Sequence, residues 1–271
     1  MLVQKDAPIR FRIHKANAGE GDYDLSGATF SVTPVDAEGE PLITEATDAA
    51  GDVDLSNLAL AVDTDYTIAE TKAPDGFKLD ADAVTVHIDA DGTVALSGEA
   101  PASYTLDAAD DGAFVLTCSD EPYVLQLLKT DPEGSMLPDA SFDVTGQFAG
   151  GSTSESVQTD AQGTAKLASL LIPGQTYTLA ETAAPAGYQP LAGSAQFTMG
   201  EDGKLQVLDD AGGNVKAGDE GTALVVTDQR VVENGTACTG DGLPIGAAAG
   251  LLSAAALALF AHLANRRKEE A

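Results

Sequence analysis

The sequence contains no tryptophan, and aromatic residues of any kind make up only 5% of its 271 residues. Its two cysteines, Cys118 and Cys238, lie far apart in the chain, so no disulfide framework is indicated. Basic residues are also scarce, with 14 Lys and Arg against 43 Asp and Glu and a formal charge of −29. Nucleic acids and anionic membrane surfaces bind basic patches, so this balance argues against a nucleic-acid partner.

Patterns typical of enzyme active sites are missing as well. The only histidines are His14, His87 and His262, and no nucleophile–base pair, metal-ligand spacing or phosphate-binding loop occurs. The segment "DADG" at 89–92 lacks the closing glutamate of a calcium loop and predicts a turn. We therefore expect a protein that is not an enzyme and that binds no cofactor or metal.

Short alternating apolar segments separated by turn residues make up most of the chain. In "VTVHIDADGTVAL" (84–96) and "AQFTMGEDGKLQV" (195–207), an Asp-Gly pair lies between two such segments and predicts a β-hairpin. This pattern is typical of small all-β domains, and the chain is long enough for two of them.

An internal repeat supports two similar domains. "YTIAETKAPDGF" at 66–77 recurs as "YTLAETAAPAGY" at 177–188, with eight of twelve positions identical and an offset of 111 residues. In both copies a glutamate shares the apolar face of a predicted strand, because alternate side chains of a strand point to the same side. Tyr66, Ile68 and Glu70 lie on one face in the first copy.

Other ionisable residues fall on predicted inward faces at the start and end of each repeat. The opening strands "FRIHK" and "LQLLK" each end in a lysine on the apolar face, and the closing strands "FVLTCSD" and "ALVVTD" each end in an aspartate. The inward set is Lys15, Glu70 and Asp120 in the first repeat, and Lys129, Glu181 and Asp228 in the second. Cys118 shares the inward face of its strand and is interpreted as a small buried apolar residue.

Two interpretations account for such a triplet. Buried charges are costly, so the residues could form a hydrogen-bonded ion cluster that fixes the strand register. Alternatively, burial favours the neutral forms of lysine and aspartic acid, and the amine could then attack the aspartic carboxyl. The glutamate would transfer protons, water would leave, and an amide would join the two side chains. That reaction occurs once per molecule and is not turnover.

These residues resemble the Cna-B-type (SpaA-type, prealbumin-like) domains of Gram-positive pilins and surface adhesins. The resemblance covers residues 9–232 and is carried by the opening lysine, the "YTxAETxAPxGY/F" box and the closing aspartate. It implies two tandem immunoglobulin-like, prealbumin-like β-sandwich domains, 9–122 and 123–232. It also implies isopeptide bonds between Lys15 and Asp120 and between Lys129 and Asp228, with Glu70 and Glu181 catalysing their formation. "KTD" (129–131) keeps the family's Lys-x-Asp, whereas "KAN" (15–17) departs from it.

The C-terminal part has a different composition. "GLPIGAAAGLLSAAALALFAHLA" (242–264) is an apolar run of about 20 residues, the length that spans a bilayer. The basic residues Arg266, Arg267 and Lys268 follow it, which predicts a transmembrane helix at 243–265 and a cytoplasmic tail at 266–271. No signal peptide is evident in "MLVQKDAPIRF". The alternatives are an N-terminally incomplete chain, which we favour, a misassigned start, or a tail anchor with a cytosolic body.

This tail resembles a cell-wall sorting signal of the same family. The linker 233–242 keeps Thr239 and Gly240 of the sortase pentapeptide Leu-Pro-x-Thr-Gly, but Thr236 and Ala237 replace its leucine and proline. Sortase is therefore one expected partner, and a retained membrane anchor is the alternative.

The expected function is that of a surface stalk of a pilin-like or adhesin-like protein, anchored to the membrane or cell wall by its C-terminus. A host or matrix ligand would then bind an upstream region. The alternatives are a ligand-binding adhesin module and a tandem β-sandwich without covalent cross-links.

Overall fold

The expected fold class, two tandem β-sandwich domains, is confirmed by a computed structural model. The structure describes residues 9–35 and 40–232. In these residues, eighteen β-strands form four sheets, two in each domain. Two short 3₁₀ helices, Ser56–Leu58 and Ala149–Gly151, lie in connecting loops.

Domain 1 packs a four-stranded sheet, in the order β4-β1-β9-β8, against a five-stranded sheet in the order β3-β2-β5-β6-β7. Their inner faces enclose a core that includes Ile13, Phe30 and Ile68. The strands are β1 Phe11–Asn17, β2 Thr29–Pro34, β3 Leu42–Ile43, β4 Asp52–Asp54, β5 Thr64–Lys72, β6 Ala83–Ile88, β7 Val94–Leu96, β8 Tyr104–Ala108 and β9 Phe114–Asp120.

Domain 2 repeats the arrangement, with one sheet in the order β13-β10-β18-β17 and the other in the order β12-β11-β14-β15-β16. Phe142, Tyr177 and Leu224 lie in its core. The strands are β10 Gln126–Thr130, β11 Ser141–Thr145, β12 Ser154–Gln158, β13 Thr164–Lys166, β14 Thr176–Ala183, β15 Ala195–Met199, β16 Leu205–Asp209, β17 Val215–Ala217 and β18 Ala223–Thr227.

The first and last strands of each domain are parallel neighbours. β1 pairs with β9 from Phe11 opposite Phe114 to Asn17 opposite Asp120. β10 pairs with β18 in the same way. The other strand pairs are antiparallel, including the hairpins β6–β7 and β15–β16 that the Asp-Gly pairs predict. The two ends of each domain's sequence therefore meet in the middle of one sheet.

No helix in residues 9–35 and 40–232 is long and apolar enough to cross a membrane. The predicted transmembrane helix at 243–265, the tail at 266–271 and the sorting residues Thr239 and Gly240 lie outside the described residues.

Candidate functional site

The parallel pairing brings the opening lysine and closing aspartate of domain 1 together. Lys15 lies on β1 opposite Cys118, and Asp120 lies two residues further along β9. Both side chains are fully buried, since alternation in each strand turns them toward the core. The Lys15 Nζ atom contacts a carboxylate oxygen of Asp120.

Glu70 reaches the same point from the opposite sheet because its strand is irregular there. β2 and β5 pair with Phe30 opposite Glu70 but Thr29 opposite Lys72, so Thr71 is an extra residue in β5. Such a β-bulge bends a strand and re-aims its side chains. Glu70 is buried, whereas Thr71 and Lys72 are exposed. The bulge thus marks the end of the buried part of the strand, with the glutamate at its last inward position.

Lys15 lies between the two acids. Its Nζ atom is 2.9 Å from Glu70 Oε1 and also contacts Asp120 Oδ1, and all three side chains are fully buried. The ring of Phe30 lies 5.9 Å from Nζ, measured to its centroid, which places the cation over an aromatic face. The three side chains are thus enclosed together, with no exposed surface of their own.

The same arrangement recurs in domain 2. Lys129 Nζ is 3.0 Å from Glu181 Oε1, contacts Asp228 Oδ1, and lies 5.5 Å from the centroid of the Phe142 ring. A bulge again separates Glu181 from Ala183, since Phe142 is opposite the first and Ser141 opposite the second. The structure therefore brings together all six inward ionisable residues predicted from the sequence, as two equivalent clusters.

The glutamate and the aspartate of each cluster are held differently. Glu70 Oε2 accepts a hydrogen bond from the backbone N–H of Asp80 at 2.9 Å, and Glu181 Oε2 accepts one from Leu191 at 2.8 Å. Both donors lie ten residues beyond the glutamate, in the loop that follows each box. Among the described residues, no backbone N–H donates to the Asp120 or Asp228 carboxylates, whose oxygens lie in contact with the lysines. The glutamates are anchored by the backbone, and the aspartates are not.

Burial changes the protonation of these acids. It is the largest effect on Asp120 and raises its pKa to about 7, with Lys15 opposing the rise and Glu70 adding to it. Burial likewise raises the pKa of Glu181, against the hydrogen bonds from Leu191 and Lys129. Burial therefore favours the protonated acid in both clusters, and in domain 1 it brings Asp120 near neutral pH, where an exposed carboxylate would have lost its proton.

Lys15 does not follow the expectation that burial makes it a neutral amine. Burial acts to lower its pKa, but Cys118, Asp120 and Glu70 together outweigh that effect, and the pKa is raised. The resting cluster of domain 1 is therefore an ammonium in contact with the Asp120 carboxyl, whose pKa is raised to about 7. An attack by the amine then requires that a neighbour first take a proton from Nζ.

A second repeated motif, "TDAxG", holds the backbone of each lysine. It occurs at 47–51 and 159–163, and the carbonyl of its glycine accepts a hydrogen bond from the lysine N–H: Gly51 from Lys15 at 2.7 Å, and Gly163 from Lys129 at 2.8 Å. A Cβ on Gly51 would lie 2.3 Å from the Lys15 carbonyl oxygen, so this position requires glycine. The presence of the same motif in both repeats indicates a common role.

Sequence analysis also missed the contact of Cys118 with the cluster. The Lys15 Nζ donates a hydrogen bond to Cys118 Sγ at 3.1 Å, in the position that Val226 occupies opposite Lys129. Glu70, Cys118 and Asp120 place ligand atoms within 4.8 Å of one another, but the lysine ammonium lies among them and occupies the position of a cation. The arrangement fits a charge cluster better than a metal centre.

The aspartate of "KTD" is not part of the domain 2 cluster. Asp131 is buried near the segment that follows β18. There Arg230 donates a hydrogen bond to it at 2.9 Å, and the Tyr188 hydroxyl donates one at 3.3 Å. Asn17, its counterpart in "KAN", accepts a hydrogen bond from Gly19 N–H and donates one to the Gly21 carbonyl.

Comparison with known families agrees with this architecture. The model of the family described as SpaA, a prealbumin-like fold domain, matches residues 10–101 and 124–211, one stretch in each domain. The chain belongs to this family. No curated protein matches it significantly.

Several solved structures are similar to this chain. The C-terminal fragment of the pilus adhesin SpaC from Lactobacillus rhamnosus GG is 19% identical, with 88% of this chain and 100% of the fragment covered, at a TM-score of 0.49. The open conformation of SpaC itself is 20% identical over 87% of this chain, at a TM-score of 0.44, and the match spans 32% of the SpaC chain. The Bacillus anthracis TIE protein is 24% identical, with 82% of this chain and 34% of that protein covered, at a TM-score of 0.37.

Proposed function

We propose that this protein is a structural stalk of a Gram-positive cell surface, stiffened in each domain by a self-formed Lys–Asp isopeptide bond. One observation carries the proposal. In both domains a fully buried lysine contacts a fully buried aspartate that accepts no backbone N–H among the described residues, beside a glutamate anchored by a backbone N–H. Finding the same costly triplet twice favours a shared chemical purpose over chance burial.

The first step of the reaction is a proton transfer. Glu70 Oε1 takes a proton from the Lys15 ammonium, which lies 2.9 Å away, and leaves a neutral amine. Asp120, whose pKa is raised to about 7 by burial, supplies a neutral carboxyl that an amine can attack. Neither group needs to leave the dry interior for this exchange.

The second step forms the amide. Nζ bonds to the Asp120 carboxyl carbon, the C–OH bond breaks, and the leaving hydroxyl takes from Glu70 the proton that it received and departs as water. Glu70 then accepts the second proton that Nζ loses as the amide forms and releases it to solvent, so it acts as a catalytic residue and ends as a carboxylate. Glu181 performs the same role for Lys129 and Asp228. Because the lysine and aspartate are consumed, each domain reacts once.

The position of the bonds suits a part that bears tension. Each one would join the first and last strands of its domain, which are parallel neighbours. A pull on the two ends of the domain enters at one of these strands and leaves at the other. With the bond in place, the load passes through Lys15 and Asp120, and the residues between them are outside its path. A domain of this kind would extend little before a covalent bond broke.

Attachment to the envelope is proposed from the sequence. The apolar run at 243–265 would hold the C-terminus in the membrane, or Thr239 and Gly240 would present it to a sortase. The matched chains include pilus adhesins, and in this protein a ligand-binding part would lie upstream of residue 9. The two domains would then hold that part away from the surface.

The decisive experiment compares the intact mass of the full chain with that of the Glu70→Gln and Glu181→Gln variants. We expect the parent to be lighter than its sequence by two water molecules, and each variant to regain one. Glu99→Gln and Glu220→Gln change exposed glutamates in the same two domains and should leave the mass deficit intact. A parent of unmodified mass would reject the cross-links and leave two buried ion clusters that fix strand register.

A further inference from the structure

The two clusters differ on one side. In domain 1, Cys118 lies opposite Lys15, and Tyr104 on the next strand lies opposite Cys118. In domain 2 the two corresponding positions are Val226 and Val215. A polar pair in one domain thus replaces an apolar pair in the other, at the same distance from the lysine along the sheet.

The polar pair of domain 1 includes a direct hydrogen bond with the lysine. The Cys118 Sγ atom accepts the Lys15 N–H at 3.1 Å. Behind it, the Tyr104 hydroxyl donates to the backbone carbonyl of Asp82 at 3.3 Å. Burial raises the pKa of Cys118 to about 11, so the acceptor is a neutral thiol at physiological pH.

Cys118 therefore provides the third acceptor of the Lys15 ammonium. An ammonium has three N–H groups, and the acceptors within reach of Lys15 are Glu70 Oε1, Asp120 Oδ1 and Cys118 Sγ. Lys129 faces only the carboxylates of Glu181 and Asp228 among the described residues, since Val226 offers it no acceptor. A hydrogen bond to the charged form of a group favours that form.

We propose that Cys118 slows cross-linking in domain 1, because it holds Lys15 as an ammonium and so reduces the fraction of reactive amine. The inference rests on the proposed isopeptide chemistry and predicts the order of the two reactions: the bond in domain 2 forms first and the bond in domain 1 forms later. Cys118 does not touch the carbonyl carbon under attack, so it is a positioning residue. The titratable groups that face Lys15 are Glu70 on β5, Asp120 and Cys118 on β9, and Tyr104 on β8 beyond the thiol.

The test follows bond formation in both domains of one chain. The full chain is made by cell-free synthesis and quenched in acid at intervals, and peptides are then scored by mass for the loss of water in each domain. We expect domain 1 of the parent to react more slowly than domain 2. Cys118→Val should accelerate domain 1 by about fivefold, the factor that corresponds to about 1 kcal/mol for one hydrogen bond. Domain 2 of the same molecules is the internal control.

Two further variants separate hydrogen bonding from packing. Cys118→Ser offers a stronger acceptor in a smaller side chain and should slow domain 1 below the parent, whereas a purely steric role would not make serine the slowest. Val226→Cys should slow domain 2, which keeps the test valid if Cys118→Val fails to fold. A Cys118→Val rate at or below the parent, or a serine variant faster than valine, would overturn the proposal. Absence of water loss from both domains in every variant would instead reject the isopeptide chemistry, and with it the proposed effect of Cys118 on the rate.

Discussion

At the scale of single residues, strand alternation was sufficient to predict which ionisable side chains point inward. It assigned Lys15, Glu70 and Asp120 to buried faces, and the structure places them there in mutual contact. Alternation does not say which strands are neighbours, so it could not predict that Cys118 lies opposite Lys15. That contact depends on the parallel pairing of β1 with β9, which joins residues more than 100 positions apart.

The raised pKa of Asp120 predicts a pH dependence for a domain 1 that cannot cross-link. In Glu70→Gln the contribution of Glu70 to the Asp120 pKa is lost, but burial, the largest cause, still favours the protonated acid and holds the folded pKa above the unfolded value of 3.8. Between the unfolded and the folded pKa the folded domain holds a proton that the unfolded chain has lost, so its stability falls as the pH rises from about 4 through the folded pKa. Chemical denaturation of the full chain, monitored by hydrogen exchange in peptides of β9, measures this slope of unfolding free energy against pH.

The control for this prediction is Glu70→Gln combined with Asp120→Asn. It keeps the shape of the cluster but removes the titrating group, so the slope due to Asp120 should disappear. Equal slopes in the single and double variants would show that Asp120 does not titrate in this range, and that the general repulsion among acidic residues causes the dependence.

At the scale of secondary-structure elements, the hairpins were the predictable part of the fold. Asp-Gly pairs identified β6–β7 and β15–β16 because the sequence of a tight turn determines its local conformation. The bulges beside Glu70 and Glu181 were not predicted, since a bulge depends on the register between two strands. The contacts of the "TDAxG" turns with the lysine backbone join distant elements and were not predicted either.

The threonine of this motif provides a prediction for one element. Thr159 is buried, and its hydroxyl accepts the Ala140 N–H and donates to the Leu137 carbonyl, both at 3.0 Å. Thr47 has equivalent bonds with Ala28 and Leu25 in domain 1. Thr159→Val keeps the shape but leaves two buried backbone groups unpaired, which should cost domain 2 about 1–3 kcal/mol of unfolding free energy.

Urea denaturation of the full chain would measure this loss, and Thr153→Val is the matched control. Thr153 is exposed, and its side chain has no hydrogen bond among the described residues, so the substitution should change stability little. Equal effects of the two substitutions would mean that the Thr159 hydroxyl does not anchor β11 and β12 at this edge.

At the scale of the whole molecule, the repeat explains the presence of two domains but not how one meets the next. Gly76, in the loop after the first glutamate box, accepts a hydrogen bond from the Tyr123 N–H at 2.8 Å. A Cβ on Gly76 would lie 2.6 Å from Leu170 Cβ and 2.9 Å from Ala149 Cβ, both in domain 2. This glycine of the repeated box therefore also lies at the contact between domains.

Gly187 is the counterpart of Gly76 and provides a control for the domain junction. Its φ of +86° is close to the +85° of Gly76, and it accepts the Val231 N–H at 2.9 Å, but a Cβ there would meet no atom within 4 Å. Alanine at either position should cost about 1–2 kcal/mol through backbone strain. Only Gly76→Ala should also push domain 2 away and expose the chain near Tyr123 to proteases. Limited proteolysis of both variants distinguishes the two effects, because equal cleavage near Tyr123 would mean that strain alone, and not contact with Leu170 and Ala149, governs the junction.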